Sequence, residues 1–122
     1  MARPTQQTRK EAERKGHRAE RLAAWALRLK GYQIVGRRFK TPVGEIDLIA
    51  RKGDTIAFVE VKARADAQVA LDSVSFKSQR RISKAALWWI RRQKDHAKLS
   101  WRFDVVAVVP RRWPIHTRRV WE

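Results

Sequence analysis

The chain has 122 residues, enough for one domain with one core, and its 43% hydrophobic content excludes a disordered basic tail. Its 29 Lys and Arg against 12 Asp and Glu give a net charge of +17, which points to a polyanionic partner; nucleic acid is the commonest, and a membrane surface the competing one. Without cysteine there are no disulfides, thiol nucleophiles or Cys-based metal centres, and His17, His96 and His116 lack ligand spacing.

In chain order, residues 1–15 are polar and charged and read as a flexible basic arm without the apolar stretch of a secretory signal. Residues 16–122 read as a single domain. A helix is predicted over His17–Lys30, where Leu22, Trp25, Ala26 and Leu29 recur on one side, with Gly31 placed to end it. YQIVGRRFKT (32–41) reads as a strand stopped by Pro42, and EIDLIARK (45–52) and TIAFVEVKAR (55–64) as two more around a Gly53-Asp54 turn. ADAQVAL is expected to be a loop, with Asp72 or Ser73 capping a long helix that runs to about Lys94. RFDVVAVVP (102–110) is apolar enough for a strand covered on both faces, and IHTRRVW (115–121) is a last strand. No apolar run approaches a membrane span, so no membrane partner is expected and a soluble, cytoplasmic protein is. The order predicts an α/β sandwich, with a three-stranded meander and a helical crossover to the fourth strand.

Four of the scarce acids, Glu45, Asp47, Asp54 and Glu60, fall within GEIDLIARKGDTIAFVEVK (44–62). A Gly53-Asp54 turn sets Asp47 opposite Glu60 and Glu45 opposite Lys62 on one side of the hairpin. The other side would carry Ile46, Leu48, Ala50, Ala57, Val59 and Val61 as a core face. Facing carboxylates repel, and two of them beside a backbone carbonyl suit a hard divalent cation such as Mg²⁺. Lys62 would point the same way, able to orient a water or stabilise charge on a phosphate. Ordinary ion pairing of Lys62 with Glu45 and Asp47 on a solvated face is the competing reading.

On the first helix Glu20 borders the apolar arc of Ala23, Ala24 and Leu27, with no Lys or Arg three or four positions away. On the second, Gln79 lies in the arc of Ile82, Ala85, Ala86, Trp89 and Ile90, and so should face the sheet. Lys77, Arg81, Lys84, Trp88 and Arg91 form the opposite stripe, where a tryptophan among cations suits a nucleic-acid backbone and an unstacked base, as would a plain amphipathic helix. Arg80 and, on the first strand, Arg37, Arg38 and Lys40 extend this candidate nucleic-acid surface.

GEIDLIA followed by VEVK resembles the Asp…Glu-x-Lys core of the PD-(D/E)XK nuclease superfamily. The chain is more closely similar to the YraN-like family, uncharacterised and mostly bacterial proteins described as candidate endonucleases distantly related to archaeal Holliday-junction resolvases. The likeness runs from Gly16 to the C-terminus through GHRAE (16–20), GY (31–32), GEIDLIA (44–50), FVEVK (58–62), QRRI (79–82) and RFDV (102–105). The resemblance implies a restriction-endonuclease-like αβββαβ core, a central mixed sheet flanked by helices, with an extra C-terminal strand. It implies that Asp47, Glu60 and the Val61 carbonyl hold Mg²⁺ or Mn²⁺, with Lys62 acting on the attacking water or the transition state. Glu20 corresponds to a first-helix acid that assists the metal, and Gln79 to a glutamine facing such sites. Ser78 departs from the pattern, standing where a basic residue is common. Asp104 and His116 match family positions, and Asp104 is expected to satisfy neighbouring polar groups.

The reading is a metal-dependent endonuclease acting on DNA rather than RNA, with branched or otherwise structured DNA suggested by analogy. A non-catalytic nucleic-acid-binding protein with a relic site and a basic RNA- or ribosome-associated protein are the alternatives. A homodimer is a further expectation, since resolvase relatives often work as dimers and the chain has six tryptophans.

Overall fold

The computed structural model describes residues 6–122. Helix α1 spans Gln6–Leu29, so residues 6–15 of the expected arm are helical; residues 1–5 lie outside the described residues. The helix ends where Gly31, at φ +94°, turns the chain and lets Tyr32 donate its N–H to the Leu27 carbonyl at 3.1 Å. Strands β1 (Gln33–Thr41), β2 (Gly44–Lys52) and β3 (Thr55–Ala63) follow as an antiparallel meander. The predicted loop at 65–71 is instead largely helix α2 (Ala67–Asp72), started by Asp66, whose carboxylate accepts the Val69 N–H at 2.9 Å. Helix α3 (Phe76–Arg91) is capped by Ser75 rather than Asp72 or Ser73, because α2 already occupies those two positions.

The crossover through α2 and α3 returns the chain to β4 (Ser100–Val108), which runs parallel to β3 along its whole length. Strand β5 (Ile115–Trp121) adds antiparallel to β4. The sheet order is β1-β2-β3-β4-β5, leaving β1 and β5 as the two edges. This is the expected αβββαβ core with an added C-terminal strand, and α2 as an insertion. Among the described residues no helix is long and apolar enough to cross a membrane.

Both faces of the sheet are buried. On one, Ala23, Ala24 and Leu27 of α1 pack on Leu48, Ala50, Ala57 and Val59. The inward face of α1 is thus mainly alanine, which lets the helix sit close. Leu22, Trp25 and Leu29, expected together on one side, are instead exposed. On the other face, Ile82, Ala85, Ala86, Trp89 and Ile90 of α3 pack on Ile46, Ile49, Ile56 and Phe58. Gly44 makes the close approach of α3 feasible: a Cβ there would stand 2.3 Å from the Arg81 carbonyl oxygen.

The hairpin has the predicted register, Lys52 facing Thr55 and Leu48 facing Val59, but the backbone ladder stops at that last pair. The pairs expected beyond it, Asp47–Glu60, Ile46–Val61 and Glu45–Lys62, are not joined through their backbones. Nor does Ile46 share a face with Leu48 and Ala50, as simple alternation predicts; it packs with α3 and they pack with α1. On the opposite flank, β1 pairs with β2 at Arg37–Leu48 and Phe39–Ile46 but skips the pair between them, and there Arg38 takes φ +46°. Alternation is therefore broken at Asp47, between two irregular neighbours.

Asp104, fully buried on β4, meets the expectation that it satisfies neighbouring groups. It accepts from Arg102 Nε at 3.1 Å, the Arg119 N–H at 3.1 Å and His116 Nε2 at 2.7 Å.

Candidate active site

The break at Asp47 builds the site. Freed from ladder pairing, Asp47 turns its carboxylate to β3, where Oδ2 accepts the Val61 N–H at 2.9 Å. That bond substitutes for a backbone carbonyl and brings the acid beside Glu60, one residue earlier on β3. Glu60 is buried at 8% exposure, and its Oε1 has no hydrogen-bond partner. Its other oxygen lies 3.9 Å from Lys62 Nζ, too far for a hydrogen bond but close enough for charge attraction.

Burial, and then the charge of Asp47, push the Glu60 carboxyl up to about 8, against the pull of Lys62. Asp47 is also raised, by its own burial above all and further by Glu20 and Glu45; the Val61 N–H and Lys62 oppose this. A half-buried and a buried acid that disfavour each other's ionisation, the second carrying an orphaned oxygen, make an electrostatic hole that a cation would fill. The donor set of two carboxylates with the adjacent Val61 carbonyl is the hard oxygen chemistry of Mg²⁺ or Mn²⁺, so these residues fit the implied ion.

Glu20 reaches this neighbourhood from α1, near enough to raise Asp47, but its carboxylate is engaged. Arg38 Nε donates to Glu20 Oε2 at 2.7 Å. The partner that Glu20 lacks on its own helix is thus supplied by β1. Among the described residues no three His, Asp or Glu side chains come together as a metal cluster. The acids that converge are Asp47 and Glu60, not the trio with Glu20. Gln79 is half-buried in the first turn of α3 and donates Nε2 to the Val74 carbonyl at 3.3 Å; no hydrogen bond joins it to Asp47 or Glu60 among the described residues.

Of the candidate nucleic-acid residues, Lys77, Arg80, Arg81, Lys84 and Arg91 are exposed along α3, and Arg37 and Lys40 along β1. Arg38 is committed to Glu20. Trp88, expected to be exposed, is half-buried under the Arg92 guanidinium, 4.7 Å from its ring centre. The Arg38–Glu20 pair had no sequence signal, since the residues lie 18 apart and their meeting depends on a left-handed backbone at a non-glycine.

The model of the uncharacterised protein family UPF0102 matches residues 19–108, covering the second half of α1 and the hairpin and crossover that carry these side chains. The chain belongs to UPF0102. This is the YraN-like family that the sequence resembles. The chain is 60% identical over 114 residues to a UPF0102 protein of Chelativorans sp., covering 93% of this chain and 92% of that one. It is 54% identical over 116 residues to a UPF0102 protein of Mesorhizobium japonicum, with 95% and 93% covered, and 56% over 108 residues to one of Agrobacterium fabrum, with 88% of each covered. The family thus extends through Asp47, Glu60 and Lys62 and nearly the whole length of these relatives.

Proposed function

We propose that this UPF0102 protein is a divalent-metal-dependent endonuclease that hydrolyses DNA phosphodiester bonds. The observation that carries the reading is the orphaned, buried Glu60 Oε1 beside Asp47, in a chain whose net charge is +17. A basic protein that brings two of its few acids together bears a cost, which Glu60 meets by holding its proton when metal is absent and which a counter-cation would relieve.

In this reading Asp47, Glu60 and the Val61 carbonyl hold Mg²⁺ or Mn²⁺. When bound, the ion would supply neutralisation of phosphate charge and a water of lowered pKa. Binding requires Glu60 to give up its proton, so metal affinity rises with pH. The Lys62 ammonium, held near Glu60 by attraction, orients the attacking water and faces the negative charge that builds on the phosphate oxygens. Hydrolysis joins the water oxygen to phosphorus and breaks the bond to one bridging oxygen, which leaves with a proton. The exposed cations of α3 and β1 bind the strand through its phosphates.

The test is incubation with Mn²⁺ and a panel of branched, single-stranded and duplex DNAs. Cutting is expected, and Asp47→Ala and Lys62→Ala each abolish it; cutting unchanged by both would remove this active site. A second reading, a nucleic-acid-binding protein with a relic site, is favoured by the convergence of two acids instead of three. It predicts no Mn²⁺ binding that depends on Asp47 or Glu60.

A further inference from the structure

Past Lys62, β3 runs out into a groove of about 850 Å³ between the middle of α1, the ends of β3 and β4, and the β4–β5 turn. It starts one residue beyond Lys62, at Ala63, and its α1 wall includes Ala19, next in sequence to Glu20. The floor is apolar, with Ala19, Val109 and Leu22, and accounts for a leucine that turns away from the core. The rim carries Lys15, Arg18, Arg64, Arg111 and Arg112, together with Trp113, which is 59% exposed.

The charge is one-sided: five cations and no acid among the described lining residues. No carboxylate engages it among the described residues, although Arg64 donates one guanidinium N–H to the Ala63 carbonyl at 2.8 Å. Arg38, Arg51 and Arg102 elsewhere are paired with carboxylates, whereas none of these five forms an ion pair among the described residues. Arg111 is held at φ +64°, a conformation where glycine would be cheaper, so the turn keeps a cation at a cost in backbone energy. Two prolines, Pro110 and Pro114, bracket the Arg-Arg-Trp triplet and stiffen the turn that presents the indole.

We infer that this groove binds a single strand of DNA, with one base stacked on Trp113 and flanking phosphates held by Arg18, Arg64 and Arg112. A cationic channel with an exposed indole over an apolar floor is how sequence-tolerant single-strand sites work, because every base offers a π-face. A duplex keeps its bases stacked inward and cannot use the tryptophan. The inference deepens the nuclease reading by making a single-stranded segment part of the substrate. It rests on that reading for the fate of the strand, but not for its binding.

Binding is measured by fluorescence anisotropy of a labelled oligothymidylate in EDTA, where no metal-dependent cutting can occur, and compared with a duplex of equal length. The single strand is expected to bind more tightly. Trp113→Ala, in a turn and outside the core, weakens it about tenfold while leaving the duplex unchanged. Arg64→Ala with Arg112→Ala lowers the salt slope by about 1.4. Trp101→Ala, at the opposite end of β4 and 41% exposed, changes nothing. Binding indifferent to Trp113, an equal loss on duplex, or an equal loss with Trp101→Ala overturns the inference, as does Trp113-dependent displacement of the oligonucleotide by anionic vesicles. Trp113-dependent binding without any Mn²⁺-dependent cutting sinks the nuclease reading alone; cutting without that dependence sinks the groove alone.

Discussion

Val61 donates its backbone N–H to Asp47 Oδ2 at 2.9 Å, where a regular hairpin would offer a carbonyl. Asp47 is therefore a sheet hydrogen-bond acceptor as well as a half-buried charge, and its substitutions separate the two. Asp47→Asn keeps an acceptor for Val61 and relieves Glu60. Asp47→Ala also relieves Glu60 but strands the amide, at a cost of about 1–3 kcal/mol. In chelator, calorimetry should find Asp47→Asn melting at or above wild type and Asp47→Ala below Asp47→Asn. Both should lose stabilisation by Mn²⁺. The reverse order of the two variants would show that the amide bond has no energetic weight.

The raised pKa of Glu60 predicts an inverted pH profile. Folded, it holds its proton up to about pH 8, while the unfolded chain releases it near 4.5. Between those values the folded state binds more protons, so metal-free stability falls as pH rises, by a few kcal/mol across the window. Asp47, also raised, contributes with the same sign. Glu60→Gln should flatten the decline, and Mn²⁺ should offset it most strongly near its upper end. Melting temperatures from pH 5 to pH 8, with and without chelator, check both; stability rising with pH in chelator would contradict the site electrostatics.

Arg38 combines a strained backbone with an ion pair of modest worth. At φ +46° it costs about 1 kcal/mol relative to glycine, while its bond to Glu20, with the Arg38 side chain 43% exposed, contributes about 0.2–1 kcal/mol. Arg38→Gly should thus leave stability near wild type, whereas Arg38→Ala, which loses the pair and keeps the strain, should be about 1 kcal/mol less stable than Arg38→Gly. Both release Glu20 toward Asp47. Electron paramagnetic resonance of free Mn²⁺ should show tighter binding in the glycine variant; weaker binding would mean that Arg38 supports the site.

Gly44 is the point at which α3 rests on the sheet. A methyl there would meet Arg81 backbone, which cannot swing aside as a flexible side chain would. Gly44→Ala is expected to cost about 3 kcal/mol and to displace α3 relative to β2. Chemical denaturation measures the cost, and near-ultraviolet circular dichroism of Trp89, packed edge-on to Phe58, reports the shift. A wild-type spectrum and midpoint would rule out the close approach.

The hairpin register was readable because Gly53-Asp54 is a strong local turn signal, and strand and crossover order followed from apolar runs and punctuation. The departures lie where tertiary contacts override local pattern. Alternation failed at Asp47 because a side chain, not a backbone carbonyl, accepts the next amide. On α1 the sheet selects the small residues and leaves Trp25 and Leu22 outside, so the periodicity of the large residues points away from the buried side. Helix α2 hid in ADAQVAL, too short for periodicity to show. The pairing of Asp47 and Glu60 was legible in chain position, but the unsatisfied oxygen was not, since burial is a property of the assembled layers. Nothing in PRRWP announced that its tryptophan would stand opposite α1.

The two open margins of the sheet remain. Strand β1 displays Arg37 and Lys40, and β5 displays Arg118 and Arg119, so every approach of margin to margin brings like charges together. That repulsion acts as the molecule's colloidal guard. At about 1 M salt, where screening shortens to roughly 3 Å, the guard is lost while the interior is untouched. Concentrated brine should therefore drive this protein into strand-by-strand self-association without first loosening its core.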